Sequence, residues 1–181
     1  YPEPLPQAPK TLIIIPAYNE GKNIGAVLDG IQKHFPEIPI LVINDGSSDN
    51  TETIAQQHNA EVISLPCNSG YGVALQTGFL YAVKNNYSLV VQMDSDGQHD
   101  PENIAVLLEE AQKDDCDVVI GSRFIGKAHY KTSFARHAGM LLFGTIASII
   151  CRQKVTDPTS GFQVLKSRAI ELIASDEYPP D

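Results

Sequence analysis

The sequence predicts an α/β domain built on a mostly parallel sheet with helices on both faces. Three observations carry that prediction. Short apolar runs alternate with helical patterns five times along the chain, a polar and glycine-containing motif follows each run, and 43% of the 181 residues are hydrophobic, enough for one real core.

The strands are expected at residues 11–16, 40–44, 61–65, 88–93 and 117–120, with helices between them. Residues 1–10 contain four prolines and read as a linker ahead of a domain at 11–181. Past residue 120 the alternation breaks into a basic loop, a helical segment near 134–150, a strand at 161–166 and a helix from Ser167. This later part is expected to serve substrate binding more than the regular core of the sheet. No internal repeat is present.

Composition narrows the function classes. Cys67, Cys116 and Cys151 are odd in number and lack metal-ligand spacing, which speaks against a disulfide framework and for a reducing, cytoplasmic compartment. No stretch has the apolar length of a bilayer-spanning helix, and the basic-then-apolar pattern of a signal peptide is absent. A net charge of −9 argues against a nucleic-acid binder. The charge is unevenly spread, however. Between Asp117 and Asp157 there is no acidic residue, while Arg123, Lys127, Lys131, Arg136, Arg152 and Lys154 make that stretch basic. It is either a solvated face or a dock for an anionic substrate or lipid headgroup, and the second reading is preferred.

The polar motifs share one position in the expected fold. PAYNE follows the first strand, NDGSSD the second, PCNSGYG the third, DSDGQHD the fourth and GSRF the fifth. All five would lie at strand carboxyl ends, where open parallel sheets bind ligands, so they are expected to converge on one site.

Within these motifs Asp94, Asp96 and Gln98 present hard oxygens at alternate positions after an apolar run, a pattern suited to Mg²⁺ or Mn²⁺ bridging protein to a diphosphate. A lone D-x-D triplet also serves as a turn or cap, and Asp100 before Pro101 reads as the cap of the next helix. His99 is open to a ligand role, although a single histidine in a turn is more often a bystander. Ser48 and Asp49 read as turn and helix-start residues, whereas Asp45 is open to either that role or a hydrogen bond to a nucleobase or ribose. Gly70 and Gly72 flank Tyr71 as in a phosphate-cradling turn, yet neither G-x-G-x-x-G nor a Walker loop is present. The dinucleotide and P-loop readings therefore fail.

Taken in order, IIIPAYNE, VINDGSSDNT, NSGYG, QMDSDGQHDPE, GSRF and DPTSGF resemble the family 2 inverting glycosyltransferases of GT-A fold, and most closely the polyprenyl-phosphate (dolichyl-phosphate) mannosyl- and glucosyltransferases. The resemblance runs from Thr11 to Phe162 and implies a Rossmann-like GT-A sheet, a nucleotide-sugar donor such as GDP-mannose or a UDP-sugar, and a lipid-phosphate acceptor at the cytoplasmic face of a membrane. It implies that Pro16, Tyr18, Glu20 and Asp45 contact the nucleoside and that Asp94, Asp96 and Gln98 bind the metal. Arg123 and Arg136 would hold the acceptor phosphate, while Asp157, Ser160 and Gly161 shape the acceptor side; Asp157 is open to a plain turn role before Pro158. Asp94, Asp96 and Arg123 thus form the expected catalytic set.

Relatives of that kind continue past EYPPD with more catalytic domain and often membrane segments, so the chain is expected to stop short of a whole enzyme at Asp181. Two further readings stand beside this one. A glycosyltransferase acting on a sugar hydroxyl needs a carboxylate base, for which Asp181 is the candidate, and a processive synthase would add a Q-x-x-R-W pattern not found here. A catalytically silent, membrane-docked adaptor is disfavoured by the intact DSDGQ. Residues 135–150 are open to an interfacial helix or a buried core helix.

Overall fold

The computed structural model describes residues 9–113, 116–122, 148, 157 and 159–175. Residues 1–8, Arg123, Arg136, Asp181 and nearly all of the helical segment expected at 134–150 lie outside them.

The described elements run β1 (Thr11–Ala17), α1 (Ile24–His34), β2 (Ile40–Asn44), α2 (Thr51–Gln57), β3 (Glu61–Ser64), α3 (Tyr71–Lys84), β4 (Leu89–Gln92), α4 (Asn103–Ala111), β5 (Val118–Ile120), β6 (Gln163–Lys166) and α5 (Ser167–Ile173). They form a six-stranded sheet in the order β3-β2-β1-β4-β6-β5. The β1–β2, β1–β4 and β2–β3 pairs are parallel, and β6 runs antiparallel to both β4 and β5. Five strands therefore point the same way and one is reversed. All five expected strands exist at or within about a residue of their expected limits.

Side chains alternate across the sheet, and the alternation assigns each helix to a face. Ile13, Ile15, Val42, Val91 and Val164 turn to the layer that also holds Ile24, Leu28 and Ile31 of α1, Ala55 of α2, and Ile104 and Leu107 of α4. Leu12, Ile14, Leu41, Ile43, Val90 and Leu165 turn to the opposite layer, against Ala74, Phe79 and Ala82 of α3 and Ala169 and Ile170 of α5. Right-handed crossovers account for α1 and α2 lying on one face and α3 on the other. The chain steps outward from β1 to β3, then returns past β1 to β4, so α3 must cross the other face. Full burial of each Ile or Leu is worth roughly 1.5–3 kcal/mol. Exposed ion pairs such as Lys113–Glu110 contribute at most about 1 kcal/mol, so the two apolar layers hold the fold.

The part of the chain past residue 120 was expected to serve substrate binding more than the regular core of the sheet, yet its strand is itself a member of that core. β6 is inserted between β4 and β5, with Val164 and Leu165 buried in opposite layers. Its reversal has a consequence for the site. Because β6 runs against the other strands, its start, not its end, lies at the shared carboxyl edge, and the DPTSGF segment is brought beside the tips of β4 and β5.

Candidate active site at the carboxyl edge of the sheet

The loops at this edge hold one another through backbone N–H groups. In PAYNE, Asn19 takes a positive φ of 56° and its amide N–H donates to Ser47 Oγ at 2.9 Å, while its side-chain oxygen accepts from the Ser48 N–H at 2.9 Å. Glu20 N–H donates to Thr51 Oγ1 and Gly21 N–H to Asp49 Oδ2. Hydrogen bonding by the Thr51 hydroxyl, which outweighs the opposing effect of desolvation, and by the Thr51 and Gly21 amides holds the Asp49 carboxyl below its ordinary range. Ser48 and Asp49 were expected to serve only the start of α2. Asp49 does accept the Thr51 N–H there, at 3.0 Å, but both residues also clamp the first loop onto the second. That contact joins residues about thirty apart, which local turn chemistry cannot anticipate.

Asp45, 4% exposed, is placed at the tip of β2. Its two oxygens accept from Ser69 N–H at 2.7 Å and Gly70 N–H at 3.0 Å, immediately before α3, where a carboxylate is also favoured by the helix dipole. Next to it, Gly46 has φ +64°, and a Cβ there would lie 2.4 Å from the Cys67 carbonyl carbon. The β2 tip and the 67–70 loop thus meet backbone to backbone. Asp45→Ala should lower unfolding stability by about 2–3 kcal/mol, since two N–H groups lose a charged acceptor; urea denaturation at neutral pH checks it.

Asp94 follows β4 on the α3 side of the sheet, the same parity as Gln92. Three segments surround it. Tyr71, the first residue of α3, donates its hydroxyl to Asp94 Oδ1 at 2.9 Å; His99 Nε2 lies 3.6 Å from Oδ2; and a Cβ on Gly161 would fall 2.3 Å from Oδ2 and 2.4 Å from Oδ1. The His99 ring is stacked on Phe162 at 4.9 Å between centroids, so this histidine packs beside the Asp94 carboxylate and is not a bystander in a turn. Burial first, and then the Asp94 charge, push the Tyr71 phenol above its ordinary value, which keeps it a donor. Asp96 Oδ1 accepts the Gln98 N–H at 2.9 Å; Asp100, expected as the cap of α4, instead accepts the Glu102 N–H in the turn ahead of that helix, whose N-cap residue is Glu102 and which has no side-chain cap bond.

Two clefts open here. One, of about 350 Å³, is lined by Pro16, Tyr18 and Glu20 from the β1 loop, Asp45 from β2, Asn68, Tyr71, and Asp94 and Asp96 from β4. It sits where the strand order reverses around β1, the place such sheets use for ligands. The second, of about 440 Å³, is lined by Tyr71, Gln92, Asp94, Thr159, Ser160, Gly161 and Gln163 among others. Tyr71 and Asp94 belong to both and form the partition.

The structure therefore gathers Pro16, Tyr18, Glu20, Asp45, Asp94 and Asp96 around one cleft and Ser160 and Gly161 around its neighbour. Gln98 is in the turn fixed by Asp96 but not in the lining of either cleft. Asp157 is buried, with Thr159 Oγ1 donating to its Oδ1, and Ser160 Oγ donates to the Gly121 carbonyl at 2.6 Å, tying the start of β6 to the end of β5. Tyr71, Gln92 and Gln163 were missed as site residues. The signal that could have found one of them is Gln92 itself, a polar residue inside the apolar run LVVQM.

The donor set suits a hard divalent cation. Asp94 and Asp96 project carboxylates into the same cleft, and among the described residues no cluster of three or more His, Cys, Asp or Glu side chains could hold a metal. A pair of this kind supplies part of a coordination shell and leaves the rest to water and phosphate oxygens, the habit of Mg²⁺ and of comparable ions.

The profile of the family described as Glycosyl transferase family 2 matches residues 12–173. The chain is 34% identical over 178 residues to an undecaprenyl-phosphate mannosyltransferase of Micrococcus luteus, covering 91% of this chain and 71% of that protein. It is 29% identical over 171 residues to a polyprenol monophosphomannose synthase of Mycolicibacterium smegmatis, covering 91% and 64%. Glucosyl-3-phosphoglycerate synthase of Mycobacterium tuberculosis, solved with Mn²⁺ and UDP-glucose, superposes with a TM-score of 0.68 at 23% identity over 91% of this chain and 57% of that one. The chain spans 64% of the length of the Mycolicibacterium smegmatis relative and 57% of that of the solved neighbour. A family match across nearly the whole chain, on a sheet whose carboxyl-edge loops build these clefts, places the chain in glycosyl transferase family 2 with a GT-A fold.

Proposed function

We propose that this domain moves a hexose from a nucleotide sugar to a polyprenyl phosphate, with inversion at the anomeric carbon and with Mg²⁺ or Mn²⁺ as cofactor. The observation that carries the reading is the meeting of Asp94 and Asp96 with Pro16, Tyr18, Glu20 and Asp45 around one cleft. Relatives named for mannose transfer to polyprenyl phosphates support the acceptor class.

Breaking a sugar–phosphate bond develops negative charge on the departing diphosphate. Asp94 and Asp96, with Gln98 in the adjoining turn, would hold the cation, which when bound offsets that charge as a Lewis acid. Tyr18, 46% exposed at the rim, and Asp45 would receive the nucleoside. The acceptor would enter through the second cleft, past Ser160 and Gly161, with Arg123, the residue after Ser122 in the chain, and Arg136 clamping its phosphate. A phosphate monoester has its second pKa near about 6 and is already an anionic nucleophile, so no general base is required. Among the described residues lining the second cleft the one acid is Asp94, which is occupied with Tyr71. Attachment at the cytoplasmic face of a membrane, peripheral and through the basic stretch, belongs to the same proposal.

The test supplies GDP-mannose or a UDP-sugar with either polyprenyl phosphate or a free oligosaccharide, and compares wild type with Arg123→Ala. Glycosylated lipid phosphate should form, and should fall by about a hundredfold or more in the variant, the loss typical of one removed charge-stabilising donor. Product from the oligosaccharide alone, or full lipid-phosphate activity without Arg123, would overturn it.

A further inference from the structure

The partition between the two clefts is a chain of hydrogen bonds with one direction. Gln163 Nε2 donates to Gln92 Oε1 at 2.9 Å, Gln92 Nε2 donates to Tyr71 Oη at 3.1 Å, and Tyr71 Oη donates to Asp94 Oδ1 at 2.9 Å. Gln92 and Tyr71 each accept on one side and donate on the other, so each bond polarises the next toward the carboxylate. The backbone sets the chain up. Gln92 and Gln163 are directly paired across the antiparallel β4–β6 ladder and share the α3 face, and Tyr71 stands at the first turn of α3 above them.

Gln92 is 2% exposed and interrupts the apolar run of β4. Packing alone would favour an apolar residue there, because a buried amide is tolerated only when it is hydrogen-bonded. Tyr71 is half exposed, at 51%, yet its hydroxyl is turned inward onto Asp94. A tyrosine kept only for packing would bury its ring and leave the hydroxyl to water. The arrangement is the reverse.

We propose that Tyr71 is a positioning residue for the reaction: backed by Gln92 and Gln163, its hydroxyl fixes the rotation of the Asp94 carboxylate toward the nucleotide cleft. An outer-shell donor of this kind orients a carboxylate that binds a cation, and losing it lowers metal affinity by about 10–100-fold. The inference rests on the reading that Asp94 and Asp96 bind a divalent cation. It adds a distinct requirement: the Tyr71 hydroxyl matters to the cation and not to the nucleotide as such.

The experiment titrates Mn²⁺ into the protein with GDP or UDP present, by calorimetry and by the paramagnetic resonance signal of free Mn²⁺, and separately measures nucleotide affinity in EDTA. Tyr71→Phe keeps the ring and removes the hydroxyl. It should weaken Mn²⁺ binding by about tenfold or more and leave the metal-free nucleotide affinity unchanged. Gln163→Leu, two bonds further back, should weaken Mn²⁺ binding in the same direction by less. Asp96→Ala separates the two readings. If Asp96→Ala loses Mn²⁺ binding while Tyr71→Phe binds as wild type, the positioning role is wrong; if neither variant loses it, the metal site itself is wrong. An equal loss of nucleotide affinity with and without metal in Tyr71→Phe would also overturn the proposal, since it would mean a general distortion of the cleft.

Discussion

Asp96→Ala should abolish Mn²⁺-dependent binding of a nucleoside diphosphate, with a loss of about a hundredfold or more in affinity and a corresponding loss of transfer. The reason is the small donor set. Glu20 and Asp45 also line the nucleotide cleft, but Asp94 and Asp96 are the two carboxylates proposed to ligate the cation, and removing one halves the negative charge among those ligands. Asp96 also has a local task, accepting the Gln98 N–H at 2.9 Å. Asp96→Asn separates the two roles, because its amide oxygen can keep the turn while the charge is gone. Both variants should fold as wild type by circular dichroism, and both should fail in a calorimetric titration of Mn²⁺ with GDP or UDP. Wild-type affinity in Asp96→Asn would show that the charge is not what the site uses.

The second large effect is expected from Gly161→Ala. A methyl group at that position would lie 2.3, 2.4 and 2.6 Å from the three carboxylate atoms of Asp94, well inside contact distance. Asp94 is not a loose side-chain end that can swing away, since Tyr71 holds one oxygen and His99 lies near the other. Nor can the backbone retreat easily, as Gly161 leads directly into β6 between two paired strands. The carboxylate must be displaced, and Mn²⁺-dependent nucleotide binding should fall by about 10–100-fold. Overpacking of this kind also lowers stability by about 1–3 kcal/mol. Gly78→Ala provides the comparison: its methyl would meet Ile14 Cγ2 at 2.6 Å under α3, away from the carboxylates. It should destabilise similarly in a thermal melt yet leave Mn²⁺ binding intact. Equal binding losses in the two variants would mean that stability, not the position of Asp94, is being measured.

These expectations rest on different depths of information. The strands and helices, their alternation, and the placing of PAYNE, NDGSSD, PCNSGYG and DSDGQHD at one edge were legible in the sequence, because hydrophobic period and strand–helix alternation are local properties. So were Asp94 and Asp96 as a pair at the tip of β4. The sequence also named residues that the structure does bring together, Pro16, Tyr18, Glu20 and Asp45 around one cleft and Ser160 and Gly161 around the next.

What the tertiary structure alone decided concerns partners far apart in the chain. Nothing local tells that Asp45 spends its oxygens on Ser69 and Gly70, or that Asp49 reaches back to Gly21. The strand expected at 161–166 was assigned to substrate binding more than to the core, yet its antiparallel insertion between β4 and β5 puts Gln163 against Gln92 and Gly161 against Asp94. His99 was given less weight because a single histidine in a turn is more often a bystander; its neighbours are Asp94, just after β4, and Phe162, just before β6. The physical reason is the same in each case. Periodicity fixes which way a side chain faces within its own element, whereas a hydrogen bond is short and directional, so its partner exists only once the strand order and the register of β6 have been chosen.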